Sequence, residues 1–187
     1  MRMMAARLSL SANAQARGPT FEAAYKAHHR HVYCQCLRYG GGNPSFAEDV
    51  THDVFVKLLE HLPALDSPHD LAGWLYRVAA NLSLTRLRRS RSIRRRFLPA
   101  YGRAMETFEP PFDLAVEQRE AATAALATLG ALPPRERLVM CMKVLEGKSQ
   151  REIAELLSLT EGYVSKLYAR AWERVRAAGW EGDDEPR

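Results

Sequence analysis

Apolar residues in the first half of the chain recur at the three- and four-residue spacing of α-helices. Two such rows occur in the segment 45–62. One row consists of Phe46, Val50, Val54 and Leu58, and the other of Phe55, Leu59 and Leu62. Acidic residues lie between these rows. The pattern predicts an amphipathic helix that packs through one side and exposes an acidic side.

Turn-forming residues divide this half of the chain into several helices. We expect helices at about 20–39, 45–61 and 69–79. The helical pattern of the third continues to about 96, and whether a break near Ala80 divides it is left open. The stretch 97–113 contains three prolines and has no helical period, which indicates a linker. The helical pattern resumes at Leu114 and runs to Ala178.

No alternating strand pattern occurs, so the predicted fold is all-α, with two small helical domains joined by a flexible linker. The expected divisions are a disordered leader at 1–18, a first domain at 19–96, a linker at 97–116, a second domain at 117–178 and an acidic tail at 179–187. Arg7, Ser9 and Ser11 interrupt the apolar residues of the leader, which argues against a signal peptide.

Charge is unevenly distributed along the chain. The net charge is only +5, but nine arginines and no acidic residue lie between Leu71 and Met105. This asymmetry indicates a polyanionic partner. The three cysteines form no disulfide framework, which favours a reducing cytoplasm, and no apolar run is long enough to insert into a membrane.

The second domain contains a predicted helix-turn-helix. Ser149 and Glu152 form a capping box that starts one helix, and Thr160 caps another after a short turn. The packing positions are Ile153, Ala154 and Leu157 in the first helix and Val164, Leu167, Ala171 and Val175 in the second. Lys166, Arg170, Arg174 and Arg176 make the second helix basic, so we expect it to enter a DNA major groove. An ordinary helical hairpin with a solvated basic face is the alternative.

Three stretches carry a resemblance to a known family: AEDVTHDVFVKLLEHL at 47–62, AGWLYRVAANLSLTRLRR at 72–89 and ALPPRERLVMCMKVLEGKSQREIAELLSLTEGYVSKLYARA at 131–171. In this order they resemble bacterial RNA polymerase sigma factors of the extracytoplasmic-function (ECF) class. The resemblance covers Phe21 to Ala178. It implies a non-enzymatic transcription initiation factor without a cofactor, which binds the beta and beta-prime subunits of core RNA polymerase, promoter DNA and an anti-sigma factor.

The resemblance also assigns residues in the first domain. Contacts with core RNA polymerase fall on Glu48, Asp49, Asp53, Val54 and Phe55, although a solvated helix face explains the acids equally well. Contacts with the minus-10 promoter element fall on Arg77, Asn81, Arg86, Arg88 and Arg89. The loop at 62–70 would capture an unstacked base. Trp74 and Tyr76 are expected to pack internally rather than stack on bases.

In the second domain the resemblance assigns contacts with the minus-35 element to Tyr163, Ser165, Lys166, Ala169 and Arg170. Leu167 stands where many relatives carry Arg, and Ser165 where they carry Lys, so the promoter sequence stays open. The linker acids Glu106, Glu109 and Asp113 either occupy a channel built for RNA phosphates or are ordinary solubilising charges.

Two other functions compete with this interpretation. A helix-turn-helix regulator that binds an operator without RNA polymerase would explain the second domain but not the acidic and arginine-rich helices of the first. A metal or redox sensor would use His28, His31 and Cys34 or Cys36, but C-x-C on a helix directs the two sulfurs about 200° apart. We therefore predict no metal site. No motif of an enzyme is present.

Overall fold

The computed structural model describes residues 20–61, 68–97 and 116–179. These residues form seven helices: α1 (Phe21–Gly40), α2 (Pro44–His61), α3 (Pro68–Phe97), α4 (Val116–Ala131), α5 (Pro134–Met140), α6 (Gln150–Leu157) and α7 (Glu161–Ala177). A short π-helix, Cys141–Leu145, continues α5. Across the described ranges there is no strand, so the all-α prediction is confirmed.

Helices α1 to α3 form the first lobe. The Thr20 side chain caps the start of α1, and Gly41 ends this helix in the left-handed conformation at φ 69°. The Asn43 side chain then accepts a hydrogen bond from the Phe46 amide at 2.8 Å, which caps the start of α2. The lobe's hydrophobic core draws on all three helices and includes Val32, Val50, Val54, Leu58, Leu71 and Leu75.

The structure resolves one question that the sequence left open for the first lobe and corrects one expectation. Helix α3 runs unbroken through Ala80, which is fully buried against the other lobe and therefore has a packing partner at the suspected break. Leu59, expected to pack, is 60% exposed. The row Val50, Val54 and Leu58 is buried as predicted, and so is Phe55 of the second row.

Helices α5 to α7, with the π-helix, form the second lobe. The predicted capping box is present, because the Ser149 side chain accepts from the Glu152 amide while the Glu152 carboxylate accepts from the Ser149 amide. The predicted packing residues Ile153, Ala154, Leu157, Val164, Leu167, Ala171 and Val175 are all buried. Trp172 and Tyr168 complete this core.

The two lobes contact each other directly. Tyr39, Ala80 and Leu84 of the first lobe belong to the same buried cluster as the core of the second. Nearby, the buried Arg137 side chain donates to the carbonyl of Tyr39 at 3.1 Å and to that of Leu132 at 3.2 Å. The expected leader, and all but the ends of the expected linker and tail, lie outside the described residues.

Within the three described ranges, the structure contains no helix of the length and hydropathy that a bilayer span requires.

Candidate nucleic-acid interface

Helix α3 presents a polar face to solvent. At 100° per residue, Arg77, Asn81 and Arg88 project within about 40° of one another. All three are exposed. Arg89 is also exposed but projects about 120° from Arg77, on a neighbouring face of the helix. Arg77, Asn81 and Arg88, three of the predicted minus-10 residues, therefore share one accessible surface, as phosphate and base contacts require.

Arg86 is separated from this surface. It projects about 180° from Arg77 around the helix. Its guanidinium instead lies 3.2 Å from the Asp49 carboxylate and 3.6 Å from that of Asp53, both on α2. The structure thus pairs one predicted DNA-binding residue with two predicted polymerase-binding residues.

The helix-turn-helix has the geometry that its sequence predicts. Ser158 ends α6 at φ 53°, a left-handed conformation that serine adopts at a cost, as anticipated. The amide of Leu159 bonds to the carbonyl of Ala154 at 2.8 Å, and the Thr160 side chain caps α7. The turn therefore fixes the angle at which α7 leaves the lobe.

Helix α7 exposes four of the five predicted minus-35 residues, which are Ser165, Lys166, Ala169 and Arg170. The fifth, Tyr163, is half-buried, and its hydroxyl accepts a hydrogen bond from Arg135 at 3.3 Å. Arg174, expected to belong to the basic face, forms a 3.0 Å ion pair with the buried Glu136. Arg174 is therefore tied to α5.

The acidic helix α2 differs from the prediction in its apolar residues. Val54 is fully buried, whereas Phe55, at 4% exposed, lines the groove between α1 and α2. The neighbouring Val56 and Leu59 are the exposed apolar residues of this helix, and with Glu48 they line a groove against the aromatic residues of α1. The i, i+3 spacing of Val56 and Leu59 places them beside Glu48 on one face, but the spacing alone could not show that this face is exposed.

Trp74 and Tyr76 both pack internally. Trp74 lies half-buried against the core of the first lobe, with its ring 5.6 Å from that of His61. Tyr76 packs against the core of the second lobe. Of the loop predicted to capture a base, residues 62–67 lie outside the described part of the chain.

The cysteine and histidine cluster on α1 does not converge on one point. Cys36 is fully buried, and this burial raises the pKa of its thiol to about 11. Cys34 is half-buried, and Cys141 lies buried in the second lobe. In the described ranges, no group of three or more His, Cys, Asp or Glu side chains is arranged to hold a metal ion.

Two family models match the chain in consecutive order. Residues 24–93 match Sigma-70 region 2, which covers α1, α2 and most of α3. Residues 128–177 match Sigma-70 region 4, which covers the helix-turn-helix.

Curated relatives come from the same class. The ECF RNA polymerase sigma factor SigE of Mycolicibacterium smegmatis is 30% identical over 163 residues, which are 87% of this chain and 62% of that protein. The chain thus spans less than two thirds of the length of SigE. The ECF RNA polymerase sigma factor SigW of Bacillus subtilis is 27% identical over 78% of this chain and 81% of that protein.

The fold also matches a solved structure, the sigma factor RpoE in complex with the anti-sigma factor NepR from Bartonella quintana. The TM-score is 0.62 at 14% identity, over 84% of this chain and 94% of the other. Together, the two consecutive regions and the class of the relatives show that this chain belongs to the sigma-70 family of RNA polymerase sigma factors, in its ECF class.

Proposed function

We propose that this chain is an alternative sigma factor that binds core RNA polymerase and directs it to promoters. The observation that carries the proposal is the presence of two exposed polar helix faces in one chain, on α3 and on the second helix of a helix-turn-helix. Helix α3 would contact the minus-10 element and α7 the minus-35 element. The protein itself makes no bond, so catalysis belongs to the polymerase, and the site of action is the bacterial cytoplasm.

Melting of the minus-10 element would require binding energy rather than chemistry. Unpairing and unstacking a base costs a few kcal/mol, which arginine contacts to the freed strand can offset. Arg77 and Arg88 supply such cations on one accessible face, and Arg89 supplies another on the neighbouring face. The residues that would receive the flipped base, in 62–70, remain a prediction.

The surface for core RNA polymerase would lie on α2, where Glu48, Val56 and Leu59 line the groove against α1. Exposed apolar residues next to an acid suit an interface in which charge guides association and apolar burial retains the partner. The beta-prime subunit is the proposed partner here, and the beta subunit is proposed for the second lobe. An anti-sigma factor covering the same surfaces is proposed from family membership.

Run-off transcription tests the proposal. Bacterial core RNA polymerase is incubated with pooled genomic fragments, including the region upstream of this gene, with and without the full chain. Defined start sites that depend on the chain are expected, and Arg170→Ala should weaken them. Lys26→Ala, which also removes an exposed cation, is the matched control and should leave them unchanged.

The operator-binding alternative predicts a different pattern. A chain that binds duplex DNA, produces no start site and is not retained by immobilised core RNA polymerase would be a helix-turn-helix regulator. Replacing the exposed Leu59 with Asp should abolish retention by the polymerase if the α2 groove is the contact, without loss of fold.

A further inference from the structure

An arginine of α3 neutralises part of the acidic face of α2. The Arg86 guanidinium lies 3.2 Å from a carboxylate oxygen of Asp49 and 3.6 Å from one of Asp53. These two acids are one helical turn apart, so a single guanidinium reaches both. Among the described residues, no other cation lies within ion-pair distance of either carboxylate. One of the two negative charges is therefore balanced from within the chain.

The same two acids are open to a second molecule. The Asp49 side chain is 61% exposed and that of Asp53 is 44% exposed. A cation of a partner can therefore approach the carboxylates from the solvent while Arg86 approaches them from α3. The two cations would repel each other and divide the attraction of the same acids, so the binding of one weakens the binding of the other.

The contact between Arg86 and the acids is loosely held. The Nη1 atom of Arg86, which makes both contacts, has no hydrogen-bond partner of good geometry in the part of the chain that the structure describes. The attraction is therefore one of charge without a directed bond. Ion pairs between exposed side chains contribute little to the stability of the fold and are screened by salt. A better-placed cation can thus displace Arg86 without unfolding the lobe.

The acids adjoin the surface proposed for core RNA polymerase. At about 100° per residue, Asp49 projects about 20° from Val56, and Asp53 about 60° from it. Val56 lines the groove between α1 and α2 together with Leu59. The exposed face of α2 thus runs from this apolar groove to the two acids, and Arg86 borders its acidic end. A partner segment that fits this face carries apolar side chains for the groove and Lys or Arg for the acids.

We infer that Arg86 lowers the affinity of this chain for core RNA polymerase by competing with cations of the polymerase for Asp49 and Asp53. The inference rests on the proposed function, because it concerns how strongly the α2 surface binds that partner. It gives Arg86 a role in the polymerase contact instead of the DNA contact that the sequence suggests. Charges at the rim of an interface act mainly on the rate of association, so this rate should carry the effect.

Biolayer interferometry with immobilised core RNA polymerase and the full chain tests the inference. At about 50 mM NaCl, Arg86→Ala should associate about two- to fivefold faster than the wild type. The difference should shrink at about 500 mM NaCl, because salt screens exposed acids. Lys26→Ala removes an exposed cation of α1 and leaves the same net charge, and it should match the wild type. An effect of net charge alone would change both variants equally.

Two further variants separate competition from a structural role. Arg86→Lys keeps the positive charge and should associate at close to the wild-type rate. In a chain that carries both Asp49→Asn and Asp53→Asn, adding Arg86→Ala should leave the association rate unchanged, because the acids that it exposes are absent. Circular dichroism should show the same helix content in every variant.

The outcomes distinguish this inference from the proposed function. If the wild type is retained by the polymerase but Arg86→Ala associates no faster, the inference is overturned and the proposed function stands. Faster association that persists after both acids are replaced by Asn also overturns it. If the wild type is not retained at all, the proposed function fails, and the role of Arg86 fails with it.

Discussion

Arg86 and Arg88 stand two positions apart but have different surroundings. Arg88 is exposed on the face of Arg77 and Asn81, whereas Arg86 pairs with Asp49 and Asp53. Exposed ion pairs of this kind contribute about 0–1 kcal/mol to folding. The pairing therefore affects where the Arg86 side chain points more than it affects the stability of the fold.

Salt dependence distinguishes the two arginines. The association constant of the polymerase–sigma complex for promoter DNA falls with salt concentration. The slope of its logarithm against the logarithm of the salt concentration should become shallower by about 0.9 for each phosphate contact removed. We expect this change for Arg88→Ala and no change for Arg86→Ala, measured by fluorescence anisotropy over a range of NaCl concentrations. Equal slopes for both variants would contradict the assignment of the α3 face.

Ser158 offers a second prediction at the level of one residue. Its φ of 53° is unfavourable for a side chain bearing a Cβ and natural for glycine. Ser158→Gly should therefore raise the free energy of unfolding by about 0.5–1 kcal/mol, measured by urea denaturation. Ser165→Gly, in the interior of α7, should lower it by about 0.5 kcal/mol. The same sign for both substitutions would show that the turn is not strained.

Among the elements, α6 depends most clearly on its first turn, because it is only eight residues long. The capping box satisfies amide groups at its start that have no partner within the helix. Hydrogen bonds from the Ser149 hydroxyl and amide hold the pKa of Glu152 below its usual value of 4.5. A short helix positioned in this way can support α7 at a fixed angle.

The lowered pKa makes this cap sensitive to acid. Since the folded-state pKa of Glu152 is depressed, its contribution is present above about pH 4.5 and is lost as the pH falls through the folded-state value. The stability of Glu152→Gln should therefore fall less steeply than that of the wild type between pH 5 and about pH 3. Thermal unfolding followed at 222 nm at several pH values measures the difference.

At the scale of the whole molecule, two glycines meet where the end of α1 packs against the end of α4. A Cβ on Gly41 would come 2.5 Å from the Gly130 Cα, whereas a Cβ on Gly130 would meet Gly41 atoms only at 3.4 Å and beyond. Gly41 also has a positive φ, which an L side chain opposes. An added Cβ therefore fits at Gly130 but not at Gly41.

Gly41→Ala should therefore lower the free energy of unfolding by about 2 kcal/mol, from left-handed strain and overlap together. Gly130→Ala should be nearly neutral. Chemical denaturation of both variants measures the contrast. If the two substitutions cost the same, Gly41 and Gly130 do not pack against each other as described.

These contacts also explain which features the sequence predicts. The rows Val50, Val54 and Leu58 in α2 and Val164, Leu167 and Ala171 in α7 follow a local period, so their burial could be predicted. The pairing of Glu146 with Arg38 joins residues 108 positions apart and leaves no periodic signal. The exposure of Leu59 was likewise hidden, because an apolar residue at helical spacing looks the same whether it packs internally or awaits a partner.

The buried cysteines have a practical chemical consequence. Burial raises the pKa of Cys36 to about 11 and that of Cys141 to about 12, so both thiols stay protonated and shielded at neutral pH. The half-buried Cys34 is the remaining thiol of the chain. Iodoacetamide should therefore add one group to the native protein at pH 7.5 and three after denaturation, counted by intact mass. A single alkylation site makes the wild-type chain suitable for attaching one reporter dye without removing any cysteine.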